Sequence, residues 1–365
     1  MNQASDNTTP GFDLGRTSSV RSMFVMWLVL LTLLSGVELC AADNAQVANA
    51  PLRVGIIGLD TSHVIAFTTL LNAESPRPEF AECRVVAAYP QGSLDILSSV
   101  ERVPKYTEEV RKLGVEIVDS IPALLERVDV VLLESNDGRV HLEQAIPVLE
   151  ARKRMFIDKP MAGSLADVMA LFEVARRTET PIFSTSALRY GPGTQAAREG
   201  KLGEIIGCDT FGSCALEPTH PDFFWYGIHG VESLFTVMGP GCESVSRTTT
   251  PDCEFAVGVW SGGRVGTFRG MRKGAQQFGG TAFGVTANGP AGELVGYEPL
   301  VVDIVKFFRG AEPPVDEEET LEVFAFMEAA DESKRLGGQP VALDDIMTKA
   351  RQAAQQRLTE RYPKR

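Results

Sequence analysis

Residues 52–63 read Leu-Arg-Val-Gly-Ile-Ile-Gly-Leu-Asp-Thr-Ser-His. From Leu52 to Leu59 the run is apolar apart from Arg53, which fits a short strand buried on both faces, as in parallel sheets. Gly58 marks a turn, and apolar periodicity over 62–72 predicts a helix. Strand, glycine turn and helix in this order are the setting of the G-x-G-x-x-G fingerprint. Its glycines let a pyrophosphate approach the backbone at the helix N-terminus. Gly58 fits the first glycine, but Asp60 and His63 stand at the second and third. An aspartate there is expected to crowd and repel a pyrophosphate, whereas Thr61 and Ser62 can cap the helix and donate hydroxyl hydrogen bonds. An ordinary strand–helix turn with a capping Asp60 reads equally well.

Downstream the pattern repeats. Strands are predicted at 83–88, 115–118, 128–134, 154–158 and 181–185, and helices at 106–113, 120–126, 141–151 and 165–178. Regular alternation with crossover-length connections means a doubly wound parallel sheet covered by helices on both faces. After Leu188 the rhythm changes. Helices at 193–199 and 230–238 flank a long strand at 204–215, and strands at 253–260, 263–270 and 281–288 follow with glycines at their turns. That run implies an α+β second part with a large, mostly antiparallel open sheet. Amphipathic helices at 300–309 and 320–336 and a final helix at 344–362 complete the chain.

The 365 residues suggest two domains, with an ordinary apolar fraction of 44%. A net charge of −13 argues against a nucleic-acid partner, which needs a basic face. Residues 1–20 are polar and aperiodic. Arg16 and Arg21 precede the apolar run Met23–Leu34, and Cys40-Ala41-Ala42 follows. This is the pattern of a secretory signal peptide, so export to a periplasmic or other extracytoplasmic space is expected. The run is short for a membrane span, and a misassigned start codon, which would leave the protein cytoplasmic, or an uncleaved anchor are the alternatives. Cys83, Cys208, Cys214, Cys242 and Cys253 form no disulfide framework, although Cys242 and Cys253 could pair in an oxidising compartment. His63, His141, His220 and His229, with no H-E-x-x-H, leave no metal motif.

Three later stretches carry more specific information. They are Ser135-Asn136-Asp137-Gly138-Arg139-Val140-His141, Leu149-Glu150-Ala151-Arg152-Lys153-Arg154 and Phe156-Ile157-Asp158-Lys159-Pro160. Together they resemble the Gfo/Idh/MocA family, with its Pro-Asn-x-x-His, Leu-Glu-Ala-Gly-Lys and Glu-Lys-Pro motifs. Asp158 replaces the Glu. Arg189-Tyr190-Gly191-Pro192, Lys201 to Ile205 and Ala329 to Ser333 agree with the same family. The resemblance implies a Rossmann-like domain over 51–187 and an α+β substrate and oligomerisation domain over 188–345. A leader, signal peptide and linker (1–50) precede them and a C-terminal helix (346–365) follows.

The resemblance also implies roles. Lys159 would contact nicotinamide and the substrate hydroxyl, with Asp158 orienting it, and its charge would stabilise a developing alkoxide. In Trp225-Tyr226-Gly227-Ile228-His229-Gly230-Val231-Glu232, His229 stands at the family's general base. Glu232 replaces one family Asp and Trp225 the other. Gly58, Asp60, Thr61, Ser62, His63, Ser135, Asn136, His141, Lys159 and Pro160 fall at cofactor positions. Arg189, Tyr190, Trp225 and Glu232 fall at substrate positions. The second strand ends Tyr89-Pro90-Gln91-Gly92-Ser93 without the usual ribose-binding acid, leaving Ser93 or Arg102. The cofactor is therefore NAD or NADP, or none. The expected activity is hydride transfer from a sugar, polyol or related hydroxy compound. The alternatives are an NAD-dependent glycosidase or lyase working through transient oxidation, and an exported non-catalytic binding or scaffold protein. Self-association through the open sheet is implied by resemblance alone.

Overall fold

The computed structural model describes residues 51–361. The expected leader and signal peptide lie outside the described residues. In the first half, strands β1 (Leu52–Ile57), β2 (Cys83–Tyr89), β3 (Glu116–Ile117), β4 (Val130–Leu133), β5 (Met155–Ile157) and β6 (Ile182–Phe183) form a parallel sheet. Its order is β3-β2-β1-β4-β5-β6. The switch point of this doubly wound order lies between β1 and β4, where such sheets bind ligands beyond the strands' C-terminal ends. Helices α1 (His63–Leu71), α2 (Leu97–Lys112), α3 (Ile121–Leu125), α4 (His141–Glu150) and α5 (Leu165–Thr178) make the crossovers. Val54, Ile56, Ile57 and Val131 to Leu133 are fully buried, as two-sided strands require.

One helix boundary differs markedly from expectation. The second helix was expected at 106–113 and starts at Leu97. Its first half hides no apolar stripe, because Leu97 and Val100 are exposed and Ser99 is the buried residue. Pro104 inside it further masks the helical signal.

Past β6, α6 (Pro192–Arg198) leads into β7 (Ile205–Ser213). Helix α7 (Ile228–Met238) and strands β8 (Cys242–Thr249), β9 (Cys253–Trp260), β10 (Val265–Met271), β11 (Gly279–Gly284) and β12 (Asn288–Pro290) follow. The chain ends in α8 (Glu298–Phe308), α9 (Glu317–Arg335), β13 (Val341–Ala342) and α10 (Leu343–Arg361). The seven-stranded sheet runs β12-β11-β7-β10-β9-β8-β13. Every pairing is antiparallel except β7 with β10. Helix α7 packs on this sheet so closely that a Cβ on Gly230 would sit 2.1 Å from the Phe268 ring, so only glycine fits.

Strand β8 was not anticipated. Its inward Arg247 is fully buried and held by Glu254 at 2.8 Å, Asp222 at 2.5 Å and Asp331, so an ion network replaces the apolar alternation. Cys242 and Cys253 are free and lie at opposite ends of the β8–β9 pair, which rules out the disulfide considered from sequence. Helix α8 returns to the first sheet. Leu300, Val301, Ile304 and Phe307 share a core with Val54, Ile56, Phe67 and Phe156. Among the described residues no helix is long and apolar enough to cross a membrane.

Candidate functional site

The β1–α1 turn is built around Gly58. Its φ of +86° is left-handed, and a Cβ there would lie 2.4 Å from Ser135 Oγ and 2.5 Å from Ser135 N. Backbone contact with the β4 end, not with a ligand, demands this glycine. Asp60 corrects an expectation. Its carboxylate does not face the cleft but is fully buried, accepting from Ser99 Oγ at 2.7 Å and Asn136 N at 2.9 Å. It therefore neither crowds nor repels a ligand; it staples α2 and the β4–α4 loop to the turn. Burial pushes its pKa up to about 6, more than these hydrogen bonds lower it. The side chain of Ser62 caps nothing, leaving the α1 N-terminus uncapped from that side.

A cleft of about 350 Å³ opens at this edge, lined by Thr61, Ser62, His63, Arg102, Asn136, Lys159, Pro160, Trp225 and Tyr226. Six of the ten cofactor positions implied by sequence thus line one cavity. Asn136 is 7% exposed, and both atoms of its side-chain amide lack a protein partner. Such an amide inside a cleft fits a ligand that hydrogen-bonds it.

Beneath the cleft, Asp158 at the end of β5 is fully buried. Its Oδ1 accepts from the Lys159 amide at 2.8 Å, and Oδ2 stands 4.0 Å from Lys159 Nζ and 2.9 Å from His63 Nδ1. Burial alone would raise this carboxyl, but His63 and Lys159 outweigh it and hold it well below the usual carboxylate range. Glu134, one strand over, goes the other way. Burial and the neighbouring Asp158 push it well above its ordinary value. His63, at the third fingerprint position, stacks on Phe67 and meets the edge of Tyr297.

Ser135 and His141, expected on the cofactor, are instead structural. Ser135 Oγ donates to Gln144 at 2.9 Å. The fully buried His141 bridges the Ser135 carbonyl at 2.7 Å and the Met161 carbonyl at 3.1 Å, tying the two loops that carry Asn136 and Lys159. His220 adds a second tie that sequence reasoning did not single out. Its Nε2 stands 3.2 Å from Asp137 as an ion-pair contact without hydrogen-bond alignment, while Asp137 accepts from Ser93 Oγ at 2.5 Å and from Arg139. The segment bearing Trp225 is thereby clamped to the first sheet, with His220 beside the Trp225 ring at 5.0 Å between centroids.

His229 lies half-buried in the first turn of α7. Its Nδ1 lies 2.7 Å from Ser186 Oγ, a partner missed because Ser186 stands in a loop without a motif. Burial first, then the charges of Lys159 and His63, lower its pKa well below 6.5, so the imidazole is neutral near neutrality.

The remaining substrate positions are corrected. Arg189 and Glu232 are buried in one ion network, with Arg189 Nε 3.2 Å from Glu232 and its other arm 2.6 Å from Glu319. Glu232 also accepts from Ser186 N at 2.8 Å. Tyr190 packs against the core that α8 closes, and burial raises its pKa. None of the three lines the cleft. Of the four, Trp225 alone does.

Strand order, glycine turn and cleft at the switch point define a Rossmann-type dinucleotide-binding unit followed by a mostly antiparallel α+β sheet. Residues 52–185 match the model of the Gfo/Idh/MocA oxidoreductase family, described by its NAD-binding Rossmann fold. Solved structures share the whole fold at low identity. A scyllo-inositol dehydrogenase from Lactobacillus casei, with bound NAD(H) and scyllo-inositol, aligns with TM-score 0.64 and 14% identity over 80% of this chain and 99% of its own. A myo-inositol 2-dehydrogenase from Lactobacillus plantarum gives 0.65 and 18% over 80% and 99%. An NAD-binding protein from Listeria innocua gives 0.62 and 17% over 81% and 98%. No curated protein matches the chain in sequence.

Proposed function

We propose that this chain is an NAD(P)-dependent oxidoreductase acting on a sugar, polyol or related hydroxy compound. The observation that carries the reading is the unpartnered amide of Asn136 facing the same cleft as Lys159 and the α1 N-terminus. These groups fit a nicotinamide dinucleotide. Thr61, Ser62 and the first amides of α1 would hold phosphate, and Asn136, Lys159 and Pro160 the nicotinamide end. Arg102, which lines the cleft, would meet the adenosine ribose or a 2′-phosphate there. When bound, the nicotinamide supplies a hydride acceptor or donor. The chain supplies the rest. Lys159 holds its ammonium toward the substrate oxygen and stabilises negative charge there. Ser186 fixes Nδ1 of His229, so that Nε2 can take the hydroxyl proton. Trp225 gives one wall a flat apolar plate suited to a ring with polar edges. The family of the first half and the inositol dehydrogenases among its structural relatives support this substrate class.

Calorimetry of the folded protein with NAD, NADH, NADP and NADPH tests the reading. Micromolar binding of one pair, weakened in Lys159→Ala, supports it. No binding by any of the four sinks it and leaves the non-catalytic binding protein as the better account. Export is part of the same proposal, resting on the apolar run at 23–34, and a mature N-terminus near residue 42 by mass analysis would support it. So is self-association through the outer face of the large sheet, where Ile206, Val259 and Val265 are exposed; light scattering reads its stoichiometry.

A further inference from the structure

We infer that His63, Glu134 and Asp158 form a binding site for one divalent first-row transition-metal ion at the floor of the cleft. Sequence spacing showed no metal motif, because the three ligands come from three separate elements: the start of α1 and the ends of β4 and β5. The fold brings one donor atom of each within 4.8 Å of the others. All three residues are buried, Glu134 and Asp158 completely.

Two observations point to a missing partner. Oε1 of Glu134 has none, and its other oxygen has only a long contact, 3.4 Å from Thr61 Oγ1. A buried carboxyl left in that state is costly unless something compensates it. The second is the meeting of His63 Nδ1 with Asp158 Oδ2. They stand 2.9 Å apart, yet neither atom makes a hydrogen bond. Short distance without alignment is the arrangement of two cis ligands. Donors at about 2.1 Å from one ion at roughly right angles lie about 3 Å apart, each off the other's lone-pair line. Glu134 stands farther out and would close by a side-chain adjustment or through a water.

The donor set selects the ion. Imidazole with two carboxylates suits Zn²⁺, Mn²⁺ or Fe²⁺ better than Ca²⁺ or Mg²⁺, which prefer all-oxygen sites. Two carboxylates also match the ion's charge. Lys159 shares Asp158 Oδ2 from 4.0 Å, so its ammonium would turn outward toward the cleft when the ion enters. Because His63 lines the cleft, ligand positions not filled by protein face it.

Co²⁺ is the probe. The full chain, stripped with a chelator and titrated with Co²⁺, should develop visible d–d bands that saturate at one equivalent. Glu134→Gln and His63→Gln should weaken that binding at least about tenfold. Asp331→Asn, in the Arg247 network of the other sheet, should leave it unchanged. Zn²⁺ should raise the melting temperature of the wild type and not of Glu134→Gln, and circular dichroism shows that each variant is folded. A folded wild type without saturable bands or Zn²⁺ stabilisation, or equal binding by wild type and Glu134→Gln, overturns the site. Neither result bears on the dinucleotide, whose binding is measured without metal.

Discussion

Asp60 at the turn end of the cleft and Asp158 at the strand end are equally buried, yet burial wins at one and loses at the other. Asp60 is met by a serine hydroxyl and a backbone amide, and its pKa rises to about 6. Asp158 is met by His63 and Lys159, and its pKa falls. At Asp60 two neutral donors do not offset the desolvation, whereas at Asp158 the charged neighbours do. The turn end, where the fingerprint is altered, has become a structural staple. The strand end, where the Lys-Pro pair is retained, has stayed a charged cluster.

The sharpest way to break this contrast is at Lys159. Lys159→Ala should lower cofactor-dependent kcat/KM by about 10²–10³-fold with the fold intact, the usual cost of a lost charge stabiliser. Unchanged turnover would remove the strand end from the chemistry. At the other end, a carboxyl raised from 3.8 to about 6 favours the fold fully below pH 3.8 and loses that contribution as pH climbs through 6. The loss is on the order of 3 kcal/mol at pH 7. Asp60→Asn, which keeps an acceptor for the Asn136 amide, should flatten the stability profile between pH 4 and 6; identical urea-melt profiles would contradict the staple. Gly58→Ala should cost about 2 kcal/mol by urea melts, from its left-handed φ and the contact with Ser135. The smallest effect is a shift. The His229 ring should titrate below 6.5 by NMR and move upward in Lys159→Met, which removes a cation that lowers it. No movement would mean that Lys159 does not contribute to its lowering.

The first sheet was legible because its strands are short apolar runs, and 165–178 was located to the residue. What escaped had polar substitutes for apolar signals, such as Arg247 inside β8 and Ser99 on the buried face of α2. At the site, residues carried by local motif were brought to one cleft: Thr61, Ser62, Asn136, Lys159 and Pro160. Those whose roles depend on partners distant in sequence were misplaced. Arg189 and Glu232 looked ligand-facing until Glu319 and Ser186 were seen to hold them. Glu134 was overlooked, although a charge closing the buried run Val130–Leu133 is itself a signal.

One feature of the fold bears on how the protein is made. The apolar face of the first sheet is closed by α8, which comes from far along the chain. A ribosome releases β1 to β6 well before Glu298–Phe308, so the nascent first half emerges with Val54, Ile56 and Phe156 still lacking their cover. The first half completes its core only when α8 packs onto it. A chain cut short before α8 would keep an adhesive surface for chaperones or proteases, so the cell gets either both halves or neither.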